Sequence, residues 1–323
     1  MVYKQLAHVV LAISIALLIS ILEPRQLQLL SFILYIIGNV LLICVLLFGH
    51  TGKGAQRWLD LGFIRFEPSE ILKIALPLSI ASIVDQQGMP LRGITSLLCL
   101  LLIGVPFLLI SKQPDLGTAS ITAFIGIATM LIAGFPIRYC LYGLLSLLLC
   151  SPFLWPLLHQ YQQERILTLL LPNSDVNGKG YHIMQAKIAI GSGGVFGKGW
   201  MQGTQTHLQY LPEHNTDFIF ALCAEEFGFV GCLFLLAVFF SIFWLCCRVS
   251  MLAQDTFSRL SCAGISIAFA LCSCINIAMV SGMIPVVGIP LPLISYGGTT
   301  MVVSMLGFGI VLACARSTKL FNN

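Results

Sequence analysis

Long, uninterrupted apolar runs restrict the fold of this chain more than any other feature of its sequence. A helix needs about 20 apolar residues to cross a bilayer, whereas a membrane β-barrel shows short segments of alternating polarity. The runs here are continuous, and the chain is 58% hydrophobic and only 9% charged. We therefore predict an all-α polytopic membrane protein with nine transmembrane helices, at residues 6–22, 27–48, 68–84, 94–111, 117–134, 138–158, 218–246, 261–284 and 300–315.

Two of these runs contain charged residues that lipid does not readily accept. Lys73 lies in the third run, and Glu225 and Glu226 lie in the seventh, which is too long for one span. Ionisable side chains in membrane helices usually face other protein or a water-filled cavity. We therefore expect both segments to face such surroundings over part of their length.

Lysines and arginines in short loops predict the orientation of the chain, because such loops stay in the cytoplasm. Cations of alternate connections and of the C-terminus therefore mark the cytoplasmic side: Arg25, Arg92, Arg138, Arg248, Arg259, Arg316 and Lys319. The loops at 49–67, 112–116, 159–217 and 285–299 are then extracytoplasmic. We predict a single membrane domain over 1–323, with 159–217 as its large external loop.

The predicted external loops nevertheless contain many cations, against the usual bias. They are Lys53, Arg57, Arg65, Lys112, Arg165, Lys179, Lys187 and Lys198. Long loops cross the membrane regardless of charge, so any one of these residues can simply be a solvated cation. As a group they indicate an anionic ligand, whereas the modest net charge of +4 gives no indication of nucleic acid.

The start of the third run predicts a charged pair at the membrane surface. Pro68 suits the first position of a helix, which puts Glu70 in the first turn and Lys73 three residues later on the same face. This pair either belongs to a binding site or only neutralises two charges. Trp58, in the preceding loop, is either a binding residue or a member of the interfacial aromatic belt.

Two aspartates stand where loops meet apolar helices. Asp115 lies in a tight turn before the fifth run, and Asp217 follows Thr216 before the seventh. Partial burial at such a boundary would favour the neutral form of the Asp217 carboxyl and so make it a usable general base, whereas the short connection around Asp115 would fix any charge that it presents. Aspartate is also a good helix N-cap, and the sequence leaves both interpretations open.

Two irregular segments complete the external face. The glycine-rich stretch 191–199 matches neither the P-loop nor the dinucleotide pattern, so we reject nucleotide binding there and predict a hinge. Segment 285–299 is apolar but interrupted by prolines and glycines. Such a composition predicts a re-entrant segment packed against other helices.

Six motifs in this order resemble the SEDS family (shape, elongation, division and sporulation), and its elongation branch more than its cell-division branch. The motifs cover the whole chain, at 53–62, 68–70, 113–117, 203–205 leading to 211–213, 216–220 and 292–298. The resemblance implies a ten-helix fold whose first helix precedes Met1. It also implies a peptidoglycan glycosyltransferase that polymerises lipid II during cell elongation, beside a class B penicillin-binding transpeptidase and other membrane proteins of the elongation complex.

The resemblance also implies roles for individual residues. The family's proposed catalytic aspartate corresponds to Asp217, in the motif that begins at Thr216. Its other functional positions and the neighbouring external cations give the expected substrate-binding set: Arg57, Trp58, Arg65, Glu70, Lys73, Lys112, Asp115, Gln205 and Thr216. The chain departs from the family pattern at two positions, where the neighbouring hydrogen bonds are therefore expected to differ. Glu67 stands where the family usually has Gln, and Asn215 stands where it often has His.

The chemistry that the resemblance implies needs one base and several cations. A sugar hydroxyl is a poor nucleophile, so we assign Asp217 as general base and expect cations to bind the leaving diphosphate, with Mg²⁺ or Mn²⁺ as a candidate cofactor there. The alternative is a lipid II flippase, in which the cations would line a path across the membrane. A transporter needs polar groups at the membrane centre, and the helices offer few besides Lys73, Glu225 and Glu226.

Overall fold

The computed structural model describes residues 2–52, 55–60, 65–158, 160–170, 179–204 and 215–318. Their α-helices are α1 (Val2–Ser20), α2 (Pro24–Phe48), α3 (Pro68–Gln87), α4 (Gly93–Lys112), α5 (Leu116–Ile132), α6 (Ile137–Leu154), α7 (Gln160–Leu170), α8 (Lys179–Ser192), α9 (Ile219–Leu252), α10 (Thr256–Val280) and α11 (Gly298–Ser317). The strands are β1 (His50–Gly52), β2 (Ala55–Asp60) and β3 (Arg65–Phe66).

Each of the nine predicted apolar runs coincides with one of these helices. Six helices are long and apolar enough to cross a membrane, namely α1 from Tyr3 onward, α2, α4, α9, α10 and α11. Helices α5 and α6 are apolar but shorter. The polytopic all-α class is therefore confirmed, while the count of nine spans stays a prediction.

The chain divides into two compact units. Unit 1 comprises Met1–Ile137, Ile242–Leu271 and Gly297–Asn323, and unit 2 comprises Arg138–Ser241 and Cys272–Tyr296. The prediction of one membrane domain over 1–323 stays a prediction.

Helix α3 is the central helix of unit 1. Helices α2, α4, α5 and α11 pack around it, and almost every residue from Pro68 to Val84 is buried. Its apolar side chains, such as Leu72 and Leu76, form the core, whereas α2 and α4 expose large apolar side chains on their outer faces. The expectation that the helix carrying Lys73 faces other protein is confirmed, because Lys73 itself is buried.

A small antiparallel sheet occupies the loop between α2 and α3, in the order β1-β2-β3. Trp58 lies opposite His50, and Asp60 lies opposite Arg65. Strand β2 also packs against α2 and α3. The sequence predicted only a loop here, and the sheet fixes the polar residues of β2 relative to the start of α3.

Unit 2 contains the long helix α9, whose backbone leaves the helical conformation at Gly228 (φ 66°, ψ −162°). The seventh apolar run, which is too long for a single straight span, is therefore divided by this break. The amides of Phe229 and Val230 lose their helical acceptors there and donate instead to the carbonyls of Gly194 and Val195.

The carbonyls of the preceding turn of α9 find their donors in the same glycine-rich stretch. Glu225 O accepts from Lys198 N, and Glu226 O accepts from Gly199 N, both at 3.0 Å. A Cβ added at Gly197 would lie 2.1 Å from Glu226 O, so only glycine permits this approach. The stretch that we predicted as a hinge is therefore attached to α9 by four main-chain hydrogen bonds, and the hinge itself stays a prediction.

Candidate functional site

An arginine and an aspartate from distant parts of the sequence meet in unit 1. Arg57 Nε on β2 lies 3.0 Å from Asp115 Oδ2, and the Asp115 side chain is only 1% exposed. The distance is that of a close ion pair, although the Nε–H is not aligned for a hydrogen bond. Asp115 thus holds Arg57 at the start of α5.

Asp115 also caps α5, as the sequence allowed. The backbone N–H and the hydroxyl of Thr118 donate to its two carboxylate oxygens at 3.2 and 2.8 Å. Gln113, two residues before Asp115, is buried and donates from Nε2 to the carbonyl of Leu42 on α2. Capping and ion pairing are therefore both realised, and the turn that carries Asp115 is anchored on two sides.

The predicted pair of Glu70 and Lys73 forms within α3. Lys73 Nζ lies 2.5 Å from Glu70 Oε1, and both side chains are 6% exposed. Two charges are thus held inside the protein at the first turns of its most buried helix. A buried pair of this kind is costly to break, because the remaining charge would have no counter-charge.

Glu67, which precedes α3, belongs to the same group of charges. The pKa of its carboxyl is raised to about 7, chiefly by burial and then by the negative charges of Glu70 and Asp115, against Lys73 and a hydrogen bond from Ser69 that lower it. Ser69 Oγ donates to Glu67 Oε1 at 2.8 Å. Near neutral pH this carboxyl is therefore protonated in a large fraction of molecules. The protonated side chain is uncharged, as a glutamine side chain would be at that position.

The remaining predicted residues of unit 1 are less closely held. Trp58 lies in β2 and is partly exposed, and Lys112 is exposed at the last residue of α4. Arg65 pairs with Asp60 through the backbone of β3, but its side chain lies outside the described residues. Lys112 is therefore accessible to a ligand from solvent, whereas Lys73 is buried in the interior.

Asp217 lies in unit 2, in the turn that leads into α9. The carbonyls of three successive residues in this turn each accept a hydrogen bond from a later part of the chain. Asn215 O accepts from Tyr296 N at 2.8 Å, Thr216 O from Ser295 Oγ at 2.6 Å, and Asp217 O from Asn276 Nδ2 at 2.9 Å. The backbone that carries the predicted base is therefore fixed residue by residue.

Segment 285–299 supplies part of this support and has no regular secondary structure before α11. Gly288 adopts φ +83°, and a Cβ added there would lie 3.5 Å from Asp217 Oδ2. Arg165 on α7 donates from Nη1 to the neighbouring carbonyl of Val287 at 3.4 Å. The segment packs against other parts of unit 2, as predicted, while its position in a membrane stays a prediction.

Unit 2 also contains an ion pair, formed by residues that the sequence singled out only for their charge. Lys198 Nζ lies 2.7 Å from Glu225 Oε1, and the Glu225 side chain is fully buried. Thr204 Oγ1 accepts from Lys198 Nζ at 2.8 Å and donates to Glu225 Oε1 at 3.2 Å. These side chains reinforce the main-chain attachment of the glycine-rich stretch to α9.

Two predictions concern residues or ions that the structure does not describe. Gln205 lies in segment 205–214, outside the described residues. Across the parts of the chain that are described, no group of three or more His, Cys, Asp or Glu side chains is arranged to hold a metal ion. The expected divalent cation therefore has no protein-only site among those residues.

The sequence did not single out several residues that hold the turns carrying Asp115 and Asp217. Thr118 and Gln113 hold the Asp115 turn, while Asn276 and Ser295 hold the Asp217 turn. Ser295 lies within the motif at 292–298, so that motif was a usable signal for it. Asn276 is the one residue of α10 with an amide side chain, which is the only sign that the sequence gives of its role.

Comparisons with known proteins agree with the fold and with the predicted family. The chain is 43% identical to the peptidoglycan glycosyltransferase MrdB of Escherichia coli K12 over 325 residues, covering 100% of this chain and 87% of that protein. A chain of a peptidoglycan synthase complex, whose structure concerns the coordination of polymerization and crosslinking, superposes with a TM-score of 0.85 at 31% identity, covering 98% of this chain and 89% of that one.

The rod shape determining protein RodA of Thermus thermophilus superposes with a TM-score of 0.73 at 27% identity, covering 98% of this chain and 87% of that chain. Both likenesses confirm the fold class. The family model for FtsW, RodA and SpoVE, described as cell cycle protein, matches residues 1–320. The chain therefore belongs to the FtsW, RodA and SpoVE family, which is the SEDS family that the sequence motifs indicated, and it is a multi-pass protein of the inner membrane.

Proposed function

We propose that this protein is a peptidoglycan glycosyltransferase that polymerises lipid II into glycan strands during cell elongation, with its active site on the extracytoplasmic face. The observation that carries the proposal is the position of Asp217, a carboxylate at the start of an apolar helix on a turn held through three successive carbonyls. The similarity to proteins named peptidoglycan glycosyltransferase MrdB supports the same reaction.

In the proposed reaction, the 4-hydroxyl of N-acetylglucosamine in one lipid II attacks the anomeric carbon of a glycan linked to polyprenyl diphosphate. A new β-1,4 bond forms with inversion, and the bond from the anomeric carbon to the diphosphate oxygen breaks. The electron pair of that bond leaves on polyprenyl diphosphate. Asp217 accepts the hydroxyl proton as general base, because a neutral sugar hydroxyl is a weak nucleophile.

The leaving group determines what else the protein must supply. Glycosidases need a carboxylic acid because they expel an alkoxide, whereas diphosphate leaves as a stable anion. Stabilising its charge is then the main requirement, and preorganised cations meet it best. We assign this role to Arg57, Arg65, Lys73 and Lys112 of unit 1.

The contacts of unit 1 divide this role between direct and indirect residues. Arg57 is fixed by Asp115, and Lys112 is exposed, so both are suited to contact with diphosphate oxygens. Lys73 is buried against Glu70 and contributes its charge from the interior. Asp115 and Glu70 then position cations, while Trp58, Gln205 and Thr216 are proposed to contact the rest of the substrate.

Two partners and one ion complete the proposal. A class B penicillin-binding transpeptidase is expected to crosslink the product. This expectation agrees with the similarity of this chain to one chain of a peptidoglycan synthase complex. Other membrane proteins of the elongation complex are expected beside it. Mg²⁺ or Mn²⁺ would be held chiefly by diphosphate oxygens, because the described carboxylates form no metal cluster.

Reconstitution of the full chain in liposomes with its transpeptidase and labelled lipid II tests the proposal. Asp217→Asn should lower the polymerisation rate about 10²- to 10⁴-fold, the usual contribution of a general base. Asp255→Asn is the matched control, since Asp255 also precedes a helix and accepts a hydrogen bond from Ser258 N at 2.8 Å. Asparagine caps helices as well as aspartate does, so the control should polymerise at the wild-type rate.

An Asp217→Asn protein that polymerises at the wild-type rate would end the base assignment. The assay also addresses the flippase alternative. A flippase would move lipid II across the liposome membrane without joining it, so transfer of labelled lipid II with no polymer would favour transport instead.

A further inference from the structure

We infer that Asn276 and Ser295 are positioning residues that hold the Asp217 carboxylate in its working place through the main chain. This inference rests on the proposed function, because it assigns both residues to the reaction that Asp217 serves. Neither side chain is proposed to touch the substrate.

Asn276 ties two separate stretches of backbone together. Its Nδ2 atom donates to Asp217 O at 2.9 Å and to Ile289 O at 2.7 Å. Asn276 is completely buried. Ile289 follows Gly288, which is the residue whose backbone lies against Asp217 Oδ2. One amide group therefore fixes both the residue that carries the carboxylate and the backbone beside that carboxylate.

Ser295 performs the same task one residue earlier. Its hydroxyl donates to Thr216 O at 2.6 Å and accepts from Leu291 N at 2.8 Å. Because the hydroxyl both donates and accepts, it holds the turn of segment 291–295 and the Asp217 turn in one arrangement. Ser295 is buried, so solvent cannot easily replace these bonds.

This mode of support suits a general base for a chemical reason. A base must lie within about 2.6–3.2 Å of the oxygen whose proton it removes, so small displacements of its backbone matter. Hydrogen bonds to the neighbouring carbonyls restrain the side chain and do not themselves add a charge to it.

Kinetics of the full chain, reconstituted with its transpeptidase partner and supplied with labelled lipid II, test the inference. Ser295→Ala is the deciding variant because it removes one hydroxyl and leaves the fold otherwise intact. We expect kcat to fall about 10- to 100-fold with KM within about twofold of wild type, since misplacing a catalytic group affects the chemical step. Ser295→Thr keeps the hydroxyl and should restore most of the rate.

Asn276→Leu should behave in the same way as Ser295→Ala. The matched controls are Ser266→Ala and Asn39→Leu, which remove buried side chains whose hydroxyl or amide nitrogen donates to a carbonyl of their own helix, those of Ala263 and Tyr35. Both controls should keep the wild-type kcat. A fall in kcat for Ser266→Ala equal to that for Ser295→Ala would mean that any buried hydroxyl matters, which would overturn the inference.

A double variant distinguishes positioning from general stability. In the Asp217→Asn background, Ser295→Ala should change the residual rate by less than about twofold, because residues that act through one another are not additive. A full further loss in that background would show that Ser295 does not act through Asp217. If Asp217→Asn abolishes polymerisation but Ser295→Ala keeps the wild-type kcat, the positioning role alone fails, whereas a fully active Asp217→Asn protein contradicts the proposed function itself.

Discussion

The two units hold their proposed functional residues in opposite ways. In unit 1 the charged side chains bind one another, as Arg57 binds Asp115 and Lys73 binds Glu70. In unit 2 the described hydrogen bonds around Asp217 fall on backbone carbonyls. A site for a multiply charged leaving group needs cations that are fixed by anions, whereas a base works best when its support leaves its carboxylate able to accept a proton.

The largest effect that would test this comparison is expected from Lys73→Ala in unit 1. This variant leaves Glu70 buried without its ammonium partner, and the loss of one partner of a buried pair costs about 3–5 kcal/mol of folding free energy. Thermal unfolding in lipid nanodiscs should show a marked decrease in Tm.

Lys112→Ala is the control for that experiment, because Lys112 is an exposed cation of the same unit. Its Tm should match that of the wild type. Equal Tm values for Lys73→Ala and the wild type would mean that the pair with Glu70 does not hold unit 1 together.

An intermediate effect is expected from Gly288→Ala in unit 2. A residue with a Cβ in this left-handed conformation (φ +83°) loses about 1–2 kcal/mol of stability. The added methyl group would also stand 3.5 Å from Asp217 Oδ2. We therefore expect a polymerisation rate that falls by more than the loss of stability explains.

Gly88→Ala is closely matched to that variant. Gly88 has φ +86°, and a Cβ added there would meet no heavy atom within 4 Å. Both variants should lose a similar amount of stability, as measured by Tm, while only Gly288→Ala loses polymerase activity. Similar activity losses in the two variants would assign the effect to backbone strain alone.

The smallest effect is expected from Glu67→Gln, and it depends on pH. The folded protein raises the pKa of Glu67 from 4.5 to about 7, so it favours the neutral carboxyl. The stability gained in this way is present at low pH and is lost as the pH rises through about 7. Glutamine is neutral throughout.

The difference in Tm between the wild type and Glu67→Gln should therefore change from pH 6 to pH 8, with the wild type losing more. The groups that face Glu67 are Glu70, Lys73, Asp115 and Ser69, and all four are retained in the variant. Parallel Tm curves over this range would contradict the assignment of the titration to Glu67.

What the sequence could predict was largely local. The apolar runs predicted the helices, Pro68 marked the start of α3, and the spacing of Glu70 and Lys73 predicted their pair, because each depends on residues within one or two helical turns. The cap that Asp115 provides is also local, because the donor, Thr118 N, lies three residues away.

The contacts that the sequence could not predict join distant parts of the chain. Arg57 and Asp115 are brought together by the tertiary packing of unit 1, in which β2 packs against α3. Asn276 contacts the Asp217 carbonyl across 59 positions of sequence. Hydrophobic periodicity carries no information about such pairs. The attachment of the glycine-rich stretch to α9 was not predictable for the same reason, since glycines that permit close packing and glycines that permit motion look alike in a sequence.

The attachment of the glycine-rich stretch to α9 has a consequence for how the protein is made. The break at Gly228 leaves two amides and two carbonyls of an apolar helix without helical partners, and the main chain of residues 194–199 satisfies all four. Lipid offers no hydrogen bonds, so a broken α9 would be costly on its own. The break in α9 and the docking of the preceding stretch are therefore expected to form in one step of biogenesis, after α9 has entered the membrane as a straight helix.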